Sequence, residues 1–372
     1  MNYERMSIEI ESPEQMGYEN LKFNLAESSI PDMKLADLNI NLQELVMAYG
    51  DHMGHRKLRE LIAKDANVQV DDVLLTTGAA TALFIVSTSL LRKNDQILIE
   101  RPNYATNIET SRAIGAQIDF IELQFENEFR LSIDEIENKI KSNETKLISI
   151  TVPNNPTGTV ISHDDLDKLI LLTKNKGITL LVDETYRDMT FKNRLPVAAS
   201  LALHVISVSS LSKTYGLAGI RIGWLICQDK KLMQIFLAAK EQIMICCSVV
   251  DEEIAYRCML TRDKRLLLVQ EEIQIRFNIM KKWINESNQY LEWIEPQGGV
   301  VCFPRIKVNI EFEEFYKILN NTFQTFVGPG HWFDMNKNFM RIGYGWPSTR
   351  DELIQGLKNI TSTIELCLEK KN

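Results

Sequence analysis

From Val73 onward the chain repeats one pattern: a short run of apolar residues, a turn, and an amphipathic stretch before the next run. The apolar runs predict strands at Val73–Leu75, Gln96–Ile99, Gln117–Ile121, Lys146–Val152, Ile178–Val182, Val205–Val208 and Ile222–Cys227. Between them the 3.6-residue period predicts helices at Thr81–Leu91, Ala105–Ile114, Ser132–Lys141 and His163–Asn175. Runs that are apolar along their whole length belong to strands buried on both faces. Their alternation with helices predicts an α/β unit with a mostly parallel seven-stranded sheet sandwiched by helices. Upstream, residues 1–45 carry Pro13, Pro31 and one short apolar segment, Leu21–Leu25, and read as an arm lying across another surface. Tyr49-Gly50-Asp51 makes a turn before a helix at His55–Ala66 with Leu58, Leu61 and Ile62 on its apolar side. Lys231–Cys258 is helical in composition, and Thr261–Glu286, free of Gly and Pro, predicts one long helix of the kind that bridges domains. Tyr290–Ile294, Gly299–Phe303, Phe323–Val327 and Met340–Tyr344 predict short strands, and Asp351–Leu368 a closing helix. The expected division is an arm at 1–45 that joins a small α+β domain at 271–372, with a large domain at 46–270.

Composition changes this picture little. The 372 residues suffice for one large and one smaller core, and 45% hydrophobic with 25% charged residues is ordinary for a soluble globular chain. A net charge of -8 lacks the basic footprint of a nucleic-acid binder. Cys227, Cys246, Cys247, Cys258, Cys302 and Cys367 show no CxxC spacing and read as reduced core thiols. His52 and His55 could share a helical face, but no third ligand lies nearby, so no metal is expected. Met1–Ser12 has no long apolar core and no apolar run reaches the length of a membrane span, so the expectation is a cytoplasmic protein without a membrane partner.

Chemistry concentrates where strands end. The strand Val205–Val208 runs into Ser209-Ser210-Leu211-Ser212-Lys213, and a Gly-punctuated segment carrying Arg221 precedes the next strand. A lysine between two buried strands either snorkels to solvent or is a desolvated amine suited to Schiff-base chemistry with a carbonyl cofactor, of which pyridoxal phosphate (PLP) is the common one. PLP needs a phosphate anchor, a carboxylate for its pyridine nitrogen, a donor for its phenolic oxygen and a flat group over its ring. After Val73–Leu75 the sequence Thr76-Thr77-Gly78-Ala79-Ala80 opens a helix, offering the amides of Ala79 and Ala80 to a phosphate or simply making a tight turn. Asp183 ends a strand, as a pyridine partner or a helix cap, and Tyr186 follows as a phenol donor or as packing. Asn155, in Pro153-Asn154-Asn155-Pro156-Thr157-Gly158, is either turn chemistry or an amide for the same phenolic oxygen. Tyr104 is a ring-stacking candidate or a loop aromatic.

Taken in order, Thr77-Gly78-Ala79-Ala80-Thr81, Asn155-Pro156-Thr157-Gly158, Asp183-Glu184-Thr185-Tyr186, Ser210-Leu211-Ser212-Lys213 with Arg221, and Arg341-Ile342-Gly343 resemble the class I/II aminotransferases of PLP fold type I, the aspartate aminotransferase-like superfamily. The resemblance covers nearly the whole chain from about Asn24. It implies that Lys213 forms an internal aldimine with PLP and later shuttles a proton. It implies that Asp183 holds the pyridinium and that Asn155 and Tyr186 hold the phenolic oxygen. Ser210, Arg221, Ala79 and Ala80 would bind phosphate, with Tyr104 stacked on the ring. Arg341 would grip the substrate α-carboxylate beside Ala26 and Asn155. Tyr49 would reach across a homodimer to the other site's phosphate. The implied substrates are an L-amino acid and a 2-oxo acid.

This chain departs from the family at Leu25-Ala26-Glu27-Ser28-Ser29, where a glycine is usual. Glu27 either enters the substrate pocket or faces solvent. No arginine dedicated to a distal carboxylate stands out. Gly328-Pro329-Gly330-His331-Trp332-Phe333 either shapes the pocket or packs the small core. A C–S β-lyase or an amino-acid decarboxylase on the same fold remains open, although Arg341 opposes the second. A PLP-sensing regulator lacks room for a DNA-binding module, and a dinucleotide oxidoreductase lacks GxGxxG after the first strand.

Overall fold

A computed structural model describes residues 1–370. The first strand, β1 (Phe23–Leu25), lies in the arm. The seven apolar runs form β2 (Val73–Thr77), β3 (Gln96–Arg101), β4 (Gln117–Glu122), β5 (Thr145–Thr151), β6 (Thr179–Asp183), β7 (Val205–Ser210) and β8 (Ile222–Cys227). They pair in the order β2-β8-β7-β6-β5-β3-β4, mostly parallel, with β8 antiparallel to both of its neighbours. This is the expected α/β architecture. Leu74, Leu98, Ile148, Leu180, Val208 and Leu225 have no exposed surface, because helices cover both faces of the sheet.

Helix boundaries differ from expectation at two places, one set by a glycine and one by side-chain caps. The helix after β2 begins at Gly78, three residues before the expected Thr81, and runs to Leu90. The stretch at 231–258 divides into Lys230–Ile243 and Val249–Met259, each capped by a side chain, Asp229 and Ser248. The long helix holds as Arg262–Glu286.

After it come β9 (Leu291–Glu292), β10 (Val301–Cys302), β11 (Arg305–Ile306), β12 (Thr325–Pro329) and β13 (Met340–Gly343). The arm is a structural part of this unit, since β1 pairs in parallel with β12 in a four-stranded sheet ordered β1-β12-β13-β10. Leu25 is buried in one core with Ile342, Tyr344, Leu353 and Leu357. The closing helix spans Arg350–Glu369. A helix at Phe312–Asn321, unforeseen from the sequence, packs Phe315 and Leu319 into the same core. Among the described residues no helix is long and apolar enough to cross a membrane, no cluster of side chains could hold a metal, and all six cysteines are free. His52 pairs with Glu241 at 2.6 Å and His55 with Glu253 at 3.5 Å.

Candidate active site

Parallel strands bring their C-terminal ends to one edge, and chemistry-bearing residues collect there. Asn155 follows β5, Asp183 ends β6, Ser210 ends β7 with Lys213 in the next turn, and Tyr104 follows β3. Because β8 runs backwards, its beginning rather than its end lies at this edge, and this brings Arg221 in. Ile222 pairs with Thr77, immediately before the helix that opens at Gly78. Gly78 has φ +73°, and a Cβ on it would stand 2.5 Å from Nη2 of Arg221. The arginine head therefore rests directly over a glycine at a helix N-terminus, beside the amides of Ala79 and Ala80. That is a cradle for a phosphate dianion.

Asp183 is 6% exposed, and burial pushes its carboxyl above the ordinary range. Thr185 donates to its Oδ1 from both hydroxyl (2.6 Å) and backbone N–H (3.1 Å), and Asn107 donates to Oδ2 at 3.5 Å. Thr185 and Asn107 were not foreseen. Asn107 lies 76 residues from Asp183 along the chain and meets it only because the helix Ala105–Ile114 crosses the sheet edge. Asn103 Nδ2 and Asn107 Oδ1 are buried without hydrogen-bond partners beside this carboxylate. Tyr186 is buried, its phenol pushed up to about 12 by desolvation.

Arg341, on β13, reaches the same place and is 4% exposed. It donates from Nη1 to Asn155 Oδ1 at 3.0 Å and from Nη2 to the Ala26 carbonyl at 2.6 Å. Its head lies 5.0 Å from the Phe333 ring. Asn155 thus holds the arginine with its oxygen, leaving the Nδ2 end available to an acceptor. Ile30 N–H donates to the Lys213 carbonyl at 3.3 Å, tying the arm to the lysine turn. Lys213 is half-buried, while Tyr104, Arg221 and Tyr49 are exposed, Tyr49 at 84%. His331 and Trp332 both engage Glu11 Oε2, at 2.8 and 2.7 Å, so these two latch the N-terminal segment, while Phe333 serves the site.

Behind the asparagines sits Glu100, pushed up to about 8 by burial. Its Oε1 accepts from Thr151 N–H at 2.6 Å and from Asn154 Nδ2 at 2.9 Å. A carboxyl whose folded pKa is raised holds a proton that the unfolded chain has already lost. Its stabilising contribution is therefore complete at low pH and disappears as pH rises through about 8. The melting temperature of PLP-free protein should fall between about pH 5 and pH 8. Glu100→Gln, which keeps the acceptor oxygen, should flatten that fall in a calorimetric pH series; an unchanged slope would show that Glu100 is not the group titrating.

A mostly parallel sheet with Lys213, Asp183 and an arginine-capped helix N-terminus at one edge defines a PLP enzyme of fold type I. The chain belongs to the aminotransferase class I and II family, whose sequence profile matches residues 17–357. Members of this family use pyridoxal phosphate. The chain is 25% identical over 338 residues to an aspartate aminotransferase of Sulfurisphaera tokodaii, covering 86% of this chain and 82% of that one. It is 26% identical over 325 residues to a capreomycidine synthase of Streptomyces vinaceus, covering 87% and 82%. A solved PLP-dependent aminotransferase from Streptococcus suis superposes with a TM-score of 0.91 over 99% of both chains at 25% identity. The residues at the sheet edge fit the cofactor: the Gly78 cradle suits its phosphate and the buried Asp183 its ring nitrogen.

Proposed function

We propose that this protein is a transaminase that takes the amino group from an L-amino acid and passes it to a 2-oxo acid. The observation that carries this reading is Arg341, buried and braced by Asn155 and the Ala26 carbonyl at the edge that holds Lys213 and Asp183. A guanidinium in that setting suits an α-carboxylate. When bound, PLP supplies an electron sink that acidifies the amino acid's Cα–H bond. Lys213 would hold the cofactor, and its amine would carry the proton leaving the substrate Cα. Asp183, its oxygens kept in place by Thr185 and Asn107, would pair with the pyridine nitrogen, whose proton would favour the carboxylate against the effect of burial. Asn155 Nδ2 and the Tyr186 hydroxyl donate to the phenolic oxygen. Ser210, Arg221 and the amides of Ala79 and Ala80 would take the phosphate, and Tyr104 would cover the ring. Tyr49, exposed on this chain, completes the phosphate site of a second copy in a homodimer. Gripping the α-carboxylate in the ring plane favours loss of the Cα proton over loss of carbon dioxide. The proposed division of the chain places residues 1–45 with the small domain at 271–372, around the large domain at 46–270.

Mixing the PLP-loaded protein with each of the twenty amino acids tests this. We expect one 2-oxo acid per site from the true donor, without free ammonia. Pyruvate released together with ammonia would make the protein a β-lyase, carbon dioxide would make it a decarboxylase, and failure to take up PLP would end the reading.

A further inference from the structure

One carboxylate at the site has no role in this scheme. Glu27 follows Ala26, whose carbonyl braces Arg341, and its Oε1 accepts a 3.0 Å hydrogen bond from the Tyr18 hydroxyl. Its backbone is fixed by Gly343 on β13, where a Cβ would stand 1.7 Å from the Glu27 carbonyl oxygen. Glu27 is half-buried, and burial raises its pKa, while Lys213 and Arg341 act in the opposite direction by favouring its charged form. Glu14 adds a second negative charge near it, and Asp32 a third beside Lys213 and Tyr18. The Tyr18 ring stacks on Trp346 with centroids 5.6 Å apart, so an aromatic face adjoins the acid.

Charge balance decides what this corner can receive. The cations that bear on Glu27 are Lys213 and Arg341, and the proposed function commits both, one to the cofactor and one to the α-carboxylate. Once they are engaged, a distal carboxylate on the substrate would meet like charge. A neutral side chain would leave a half-buried carboxylate with the Tyr18 hydroxyl but without a charge partner. A cation satisfies it, and an aromatic face beside it adds cation–π attraction. The buried Arg341 has an Nε without a hydrogen-bond partner, open to the α-carboxylate, and Glu27 is among the groups that bear on its charge, with Tyr186, Tyr104 and Glu14. A buried donor left open there suits the α-carboxylate end of the same ligand whose far end meets Glu27.

We propose that Glu27, oriented by Tyr18, selects the far end of the substrate, and that the amino donor is an α-amino acid with a cationic side chain, a guanidinium or an ammonium. The inference rests on the PLP-dependent reading above. Binding of α-methyl amino acids, which lack the Cα–H and cannot be turned over, separates the two. In calorimetric titration of the PLP-loaded protein, α-methylarginine or α-methylornithine should bind at least about tenfold more tightly than α-methyl-leucine, with α-methylglutamate weakest. Whichever cation binds better tells guanidinium from ammonium. Glu27→Gln should shrink the cation-over-neutral ratio to within about threefold, and Tyr18→Phe, which keeps the stacked ring, should lower it partway. If Glu27→Gln does not fold, Tyr18→Phe decides alone. Equal binding of α-methyl-leucine by the unaltered protein, or a ratio that neither substitution moves, overturns the proposal. A protein that takes up no PLP instead sinks the proposed function.

Discussion

Lys213→Ala should lower turnover by at least about 10⁴-fold and abolish the visible absorbance of covalently held PLP. Two losses combine. A positioned acid–base group contributes about 10²–10⁴-fold, and removing a covalent attachment forces a harder route to the same product. The turn itself should survive, because its geometry does not depend on the Lys213 side chain. Leu211 N–H donates to Ile222 at 3.0 Å, and the Lys213 backbone carbonyl accepts from Ile30. PLP should therefore still bind through the Gly78 cradle and Asp183, and gel filtration should recover it at reduced occupancy in a noncovalent form. The spectrum and the rate must fall together. A variant that kept both would move the amine to another residue and remove the basis for assigning the site.

The placement of Lys213, Asp183 and Asn155 just past strand ends was legible in the sequence for one physical reason, whereas Arg221 was reached through the family resemblance. Strands buried on both faces are apolar throughout, so their ends are sharp and the first polar residue after each marks the sheet edge. The direction of β8 was not visible in its residues, since Ile222–Cys227 is as apolar as the strands of the sheet that run parallel to one another. The strands β9 to β13, of two to five residues, are too short for alternation to fix their limits, and the helix at Phe312–Asn321 lies in a charged stretch that hides its buried face. The role of Asn107 depends on contact across the sheet with a residue distant in sequence, which no local pattern reports. Its spacing of four from Asn103, on the helix after Arg101-Pro102, was the available signal. Glu27 was visible as a departure from the family, but its two possible directions separate only once β1 is seen beside β12 and the Glu27 backbone against Gly343.

Arg341→Lys should reduce kcat/KM by roughly 30- to 4,000-fold while leaving PLP absorbance in place, the opposite spectral outcome to Lys213→Ala. The side chain does three things at once. Nη1 holds Asn155, Nη2 holds the Ala26 carbonyl, and the remaining edge is free for a carboxylate. Burial pushes its pKa down, yet a guanidinium starts so high that it keeps its charge. A lysine ammonium is a compact point charge without the planar fork, so it cannot brace both partners and present a bidentate face. Loss of affinity alone would raise KM. Because the grip also sets the angle of the Cα–H bond, kcat should fall as well. A carboxylate released from the ring plane is free to align for cleavage, so carbon dioxide should rise relative to 2-oxo acid in Arg341→Lys. A variant within about threefold of the unaltered protein in kcat/KM, with no added carbon dioxide, would show that the α-carboxylate is held elsewhere, and Asn155 would lose its second task with it.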